Sequence, residues 1–130
     1  MLENMAPQSV FRYFEEICAI PHGSGNTAAI SDYCVRFAEN KGLWCKKDGL
    51  NNIIIKKAAS AGYESHPPVI LQGHLDMVCE KTADCDIDFK KDGLRLRLNG
   101  DLLSANGTTL GADDGIAVAM ILAMLDDDKL

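Results

Sequence analysis

From Ser9 onward, apolar residues recur at Val10, Phe11, Phe14, Ile17 and Cys18, the spacing of one helix face, and the pattern stops at Ile20-Pro21, where proline disfavours a further turn. The stretch His22-Gly23-Ser24-Gly25-Asn26 is turn chemistry. After it, Ile30, Tyr33, Cys34, Phe37 and Ala38 mark a second helix closed by Lys41-Gly42, with Gly42 as its C-terminal stop. Leu43 to Lys46 and Asn52 to Lys56 predict two short strands, paired across the turn Lys47-Asp48-Gly49-Leu50-Asn51. A polar loop ends in Pro67-Pro68, and the apolar run Val69-Ile70-Leu71-Gln72 predicts an interior strand with His74 just beyond its end. Residues 79 to 92 are acidic and irregular. Leu94-Arg95-Leu96-Arg97-Leu98 then alternates apolar with charged before Asn99-Gly100, a type I′ turn pair leading to Asp101-Leu102-Leu103, which predicts a hairpin. The last element, Asp114 to Leu125, is apolar nearly all round, so it predicts a helix buried on most sides.

These elements, in 130 residues that are 47% apolar and 25% charged, suit one α/β unit with a real core. No internal repeat or low-complexity tract interrupts it, and no domain boundary is visible. The net charge of -6 works against nucleic acid or an anionic membrane as partner, because both need clustered Lys and Arg; a small or uncharged partner is easier to accommodate. Five scattered cysteines, never in a Cys-x-x-Cys pair, are expected to be reduced and mostly buried. The opening residues 1–16 lack the basic start and apolar stretch of a secretory signal, and the longest apolar run, Ile116 to Leu125, is ten residues, too short to cross a bilayer. The expected location is the cytoplasm.

Two segments carry chemistry. In Gly73-His74-Leu75-Asp76, alternation along an extended chain puts the His74 and Asp76 side chains on one side. Asp76 can then hold one imidazole nitrogen and leave the other for a metal. A lone histidine at a strand end is more often structural, and an aspartate opening a loop is often merely solvated. The second segment, Gly107-Thr108-Thr109-Leu110-Gly111-Ala112-Asp113-Asp114-Gly115, is a glycine-rich turn with two carboxylates at a helix entry, suited to a cap or to a metal site. An Asp cap needs only one carboxylate and leaves the lead-in unexplained. A phosphate loop is excluded, since no Gly-Lys-Ser or Gly-Lys-Thr is present and negative charge sits where phosphate would bind. With an interior strand before His74 and a glycine-rich turn before Asp113, the two side chains are expected to converge within roughly 8 Å at the C-terminal edge of the sheet, where α/β proteins gather ligands.

The order Val69-Ile70-Leu71-Gln72-Gly73-His74-Leu75-Asp76-Met77-Val78, followed by Gly107 to Ile116, resembles the aminoacyl-histidine dipeptidases, Xaa-His or β-alanyl-histidine enzymes of the zinc aminopeptidase, carboxypeptidase and aminoacylase superfamily. Ile20-Pro21-His22-Gly23-Ser24 and Asp48-Gly49-Leu50-Asn51-Asn52-Ile53 resemble the same family, so the likeness spans nearly the whole chain. It implies the N-terminal part of a three-layer, mixed-sheet α/β catalytic domain. It also implies that His74 binds one zinc, that Asp113 bridges two, that Asp76 holds and polarises His74 as a catalytic residue, and that Asp114 is a neighbour. Thr27-Ala28-Ala29 depart from the acidic helix start that relatives often have, which leaves that helix without an expected cap.

Residues 1–130 then correspond to the N-terminal portion alone. The general-base glutamate, its adjacent metal-binding glutamate, a further aspartate ligand, a C-terminal histidine ligand and the lid and dimerisation domain would all lie beyond the position matching Leu130. Asp126-Asp127-Asp128 at a helix C-terminus, where the dipole disfavours negative charge, fit that reading. The implied function is cytosolic hydrolysis of Xaa-His dipeptides by a water that two zinc ions activate, with manganese or cobalt as alternative metals. The intact protein would be a homodimer acting on small peptides, with neither nucleic acid nor membrane as partner. The chain alone is expected to self-associate, to bind metal weakly and to be inactive. The alternatives are a tripeptidase, aminoacylase or carboxypeptidase of the same superfamily, and a binding module that has lost the chemistry.

Overall fold

The computed structural model describes every residue, Met1–Leu130. Helix α1, Gln8–Cys18, buries Phe14, Ile17 and Cys18 as its apolar spacing foretells, together with Tyr13, while Val10 and Phe11 are half-buried. Helix α2, Ala28–Asn40, buries Ile30, Cys34, Phe37 and Ala38 and ends at Gly42, whose φ of 64° is left-handed, as a helix stop requires. Thr27 precedes α2 without a side-chain cap. Strands β1, Trp44–Lys47, and β2, Ile53–Lys56, pair antiparallel as the pattern predicts. Asp48 shapes the turn between them, its Oδ1 accepting from the N–H groups of Leu50 and Asn52 at 2.8 and 2.9 Å.

The core lies where α1 meets helix α3, Ala112–Asp126. Phe14 and Ile17 pack on Gly115, Val118, Ala119 and Leu122, and small residues at 115 and 119 let the two helices approach closely. The amino terminus closes one end of this core: Leu2 is buried, and the Met1 ammonium pairs with Glu15 at 2.8 Å.

Four expectations need correction. Val69-Ile70-Leu71-Gln72 forms no strand; no backbone hydrogen bond ties it to the rest of the chain, and Val69 and Ile70 are 83% and 87% exposed. An apolar run becomes a strand only beside a partner, and the strands present pair within two separate hairpins. The second hairpin, β3 at Leu96–Asn99 and β4 at Leu102–Ala105, does form, but its two-residue loop is Gly100-Asp101. The positive φ of 59° falls on Gly100, the first turn residue, so the turn is of the II′ kind rather than I′. Helix α3 is interrupted at Asp113 and Asp114, and beyond them it buries one face only, leaving Met120 and Met124 open. Finally, all five thiols are free, but only Cys18 and Cys34 are buried; Cys45, Cys79 and Cys85 are half-exposed.

Candidate active site

Between Gly73 and Met77 the chain is extended, and its alternation works as read: Leu75 turns toward the core while His74 and Asp76 turn together to the other side. His74 Nδ1 lies 2.9 Å from the Asp76 backbone oxygen and 3.3 Å from Asp76 Oδ1. Nδ1 thus faces two acceptors on Asp76, and Nε2 points away from the segment. Nε2 faces Asp113 Oδ1 at 3.1 Å, so the two residues expected to share a site do converge, well inside 8 Å. The Asp113 hydrogen bond raises the His74 pKa above its ordinary value, with Asp76 adding to the effect. Asp76 is held below the usual carboxylate range, first by the Ser24 hydroxyl and then by His74.

Asp113 reaches this position through its lead-in, which is laced to the residues after Asp76. Thr109 Oγ1 donates to the Val78 carbonyl at 2.7 Å, Thr109 N–H to the Glu80 carbonyl at 2.9 Å, and Thr82 N–H to the Gly107 carbonyl at 2.8 Å. The Gly-Thr-Thr sequence is therefore the seam joining the two candidate segments, which accounts for residues that a simple helix cap left unexplained. Gly111 must be glycine for two reasons: its φ is 68°, and a β-carbon there would sit 2.9 Å from the Met77 sulfur. The backbone then leaves helical geometry at Asp113 and Asp114, joined by a cis peptide, before the regular turns of α3 begin. Asp114 turns back over Gly73, with Oδ2 3.1 Å from where a side chain would start.

Two carboxylates against one imidazole, with Asp114 near Gly73 beside them, make the locale electronegative, suited to a cation. Yet Asp76 is spent on Nδ1 and on Ser24, and no group of three or more His, Cys, Asp or Glu side chains gathers to hold a metal. The chain supplies a facing pair of donors. Sequence reasoning missed Ser24, whose hydroxyl donates to Asp76 Oδ2 from 52 residues away. The signal for it was the Ile20–Ser24 segment, which carries turn chemistry and part of the family resemblance but no role for the serine.

The chain is 43% identical over 129 residues to the cytosol non-specific dipeptidase of Escherichia coli (strain K12), which covers 99% of this chain and 27% of that protein. The crystal structure of the aminoacylhistidine dipeptidase from Vibrio alginolyticus superposes on all of this chain with a TM-score of 0.96 at 38% identity, across 26% of its own length. Over its whole length the chain is thus similar, in sequence and in fold, to part of these dipeptidases. No family model matches the sequence. The chain spans about a quarter of the length of these relatives, and its helix and hairpin arrangement matches the N-terminal part of the Vibrio enzyme's α/β fold.

Proposed function

We propose that this chain carries part of the active site of a cytoplasmic, metal-dependent dipeptidase, with His74 and Asp113 as metal ligands and Asp76 orienting His74. The observation that carries the reading is the approach of His74 Nε2 to Asp113 Oδ1, two unlike donors from segments 39 residues apart, with Asp76 behind the imidazole. The donor set fits zinc: nitrogen and oxygen ligands lying ~2.0–2.2 Å from one ion can sit this far apart. Asp76 fixes the tautomer that frees Nε2. Asp113 is 97% exposed, so its second oxygen is open to a second ion, as a bridging role needs.

When bound, a zinc pair supplies a water of lowered pKa and polarises the peptide carbonyl. The chain's own part is to present the two donors and to keep the imidazole in one tautomer. Asp76 and Asp114 are turned to Nδ1 and to Gly73, so the reading assigns the general base and the remaining ligands to the part of the relatives' length that this chain does not span. Residues 1–130 would then be the N-terminal portion of the catalytic domain. As one relative is named for aminoacyl-histidine substrates and the other is named non-specific, the substrate class is dipeptides, with Xaa-His among them.

The test supplies the purified chain with excess zinc, manganese or cobalt and an Xaa-His dipeptide, beside His74→Ala and Asp113→Ala. The expected result is weak zinc binding that either substitution abolishes, with no turnover; loss of a general base alone removes about 10²–10⁴-fold in rate. Zinc binding that both variants retain would sink the ligand assignment. Turnover that a chelator stops and His74→Ala eliminates would place a complete site within these residues.

A further inference from the structure

The turn His22–Asn26, which plays no part in the site so far, is joined to the His74 segment in the manner of a strand. Met77 N–H donates to the His22 carbonyl at 3.0 Å and Ser24 N–H to the Met77 carbonyl at 3.1 Å, so Gly23 and Met77 form a parallel bridge. This register brings Ser24 beside Asp76, where its hydroxyl donates to Oδ2 in a short bond while Oδ1 faces His74. Next to it, His22 is 3% exposed, with Nδ1 fixed on the Ile20 carbonyl at 2.6 Å. Its Nε2 lies 3.4 Å from where a side chain on Gly111 would begin. One short turn thus touches both segments that bear the candidate ligands.

A serine that merely shaped the turn would bond within it, whereas this hydroxyl crosses to a carboxylate far along the chain. An unrestrained aspartate rotates broadly about its terminal torsion. We propose that Ser24 is a positioning residue for His74, acting through Asp76: by fixing one carboxylate oxygen it aims the other at His74 Nδ1, so that Nε2 faces Asp113. The proposal rests on reading His74 and Asp113 as ligands, but its first consequence, a His74 tautomer balance tipped toward Nδ1–H against the pull of Asp113 on Nε2, is readable in the metal-free chain. Outer partners of a metal-bound histidine typically govern 10–100-fold in affinity, and Ser24, one bond further out, belongs at about tenfold.

The experiment compares this chain with Ser24→Ala, Ser24→Thr and His74→Ala. Nitrogen-15 spectra of the imidazole, recorded metal-free where His74 is neutral, read the tautomer ratio; zinc titration reads affinity. In neutral His74 the Asp76 acceptors at Nδ1 and Asp113 at Nε2 compete for one proton, and in the native chain the Nδ1-protonated form should be the larger fraction. Ser24→Ala should mix the tautomers and weaken zinc binding about tenfold, and Ser24→Thr should restore both. The thermal midpoint should stay the same, since Ser24 is exposed. An alanine variant with the native tautomer ratio overturns the proposal, as does a change that threonine leaves unrepaired. If Ser24→Ala fails to fold, Ser24→Cys, similar in volume but a weak donor, takes its place. If Ser24→Ala shifts the tautomer while His74→Ala leaves zinc binding intact, the ligand assignment fails and the positioning role stands.

Discussion

A carboxylate at a helix C-terminus opposes the dipole, yet Asp126 stands at the end of α3 with three donors around it. It pairs with Lys41 and accepts from Tyr13 Oη at 2.7 Å and Arg12 Nη2 at 2.8 Å, tying α3 to α1 and to the end of α2. The helix alone makes this charge unfavourable; the neighbours that offset it arrive from more than 80 residues away. Lys41 first, then Tyr13 and Arg12, hold the Asp126 carboxyl down to about 2. A depressed carboxyl stabilises the fold above its ordinary value, and that stability is lost as pH falls from about 4 toward 2. Arg12 and Lys41 are half-exposed, so solvent screening reduces the contribution to about 1–2 kcal/mol. Asp126→Asn should lower stability by that amount at pH 7 and flatten the acid limb between pH 4 and 2, as urea unfolding across pH will show. Denaturation curves of parent and variant that keep a constant gap down to pH 2 would refute the assignment. The candidate site shows the same division at this scale. His74, Asp76 and Asp113 were legible because spacing within one segment and a motif mark them; Ser24 was not, because its partner is set by tertiary register.

All three helices and both hairpins were foretold by the pattern, although the burial that α1 finds comes from α3, far along the chain. Helices α1 and α2 and both hairpins obey local rules of periodicity and turn chemistry, and their boundaries fall within a residue or two of the reading. Val69–Gln72 and α3 were read from apolarity alone, which states that burial is wanted without saying what supplies it; each is left with apolar surface open. What holds the elements together is the α1–α3 contact, with Phe14 at its centre, fully buried against Gly115. Phe14→Ala should cost about 3–5 kcal/mol by removing apolar area and leaving a cavity, a large share of the 5–15 kcal/mol typical of a domain. Leu50→Ala, at the tip of the β1–β2 turn and 81% exposed, should change stability by less than about 0.5 kcal/mol. Chemical denaturation that found the two substitutions equivalent would mean that the core lies elsewhere.

Across the whole molecule, buried and exposed apolar surface are out of proportion, since only 19 of 130 residues are buried. Val69 and Ile70 stand in solvent beside backbone groups of residues 67–72 that bond to nothing else in the chain. Leu102 and Ile54 lie open on the two hairpins, and each hairpin, having two strands, has both edges free. Unpaired edges next to exposed β-branched residues are templates for pairing with another copy. Opposing this is the net charge of -6, which keeps copies apart over a distance set by the ionic strength, about 10 Å at 0.1 M and about 3 Å at 1 M. Apolar attraction is not screened in this way, so the balance should shift with salt. The chain should associate progressively as its concentration rises and more strongly at high salt. The paired substitution Val69→Lys with Ile70→Lys should suppress association without altering thermal stability, because neither side chain packs on anything. Sedimentation velocity over a concentration series at low and high salt reads the outcome directly. A single monomeric species throughout would show that the open Val69–Gln72 segment is not adhesive. Association that the lysine pair leaves untouched would shift responsibility to the hairpin edges or to Met120 and Met124 on α3.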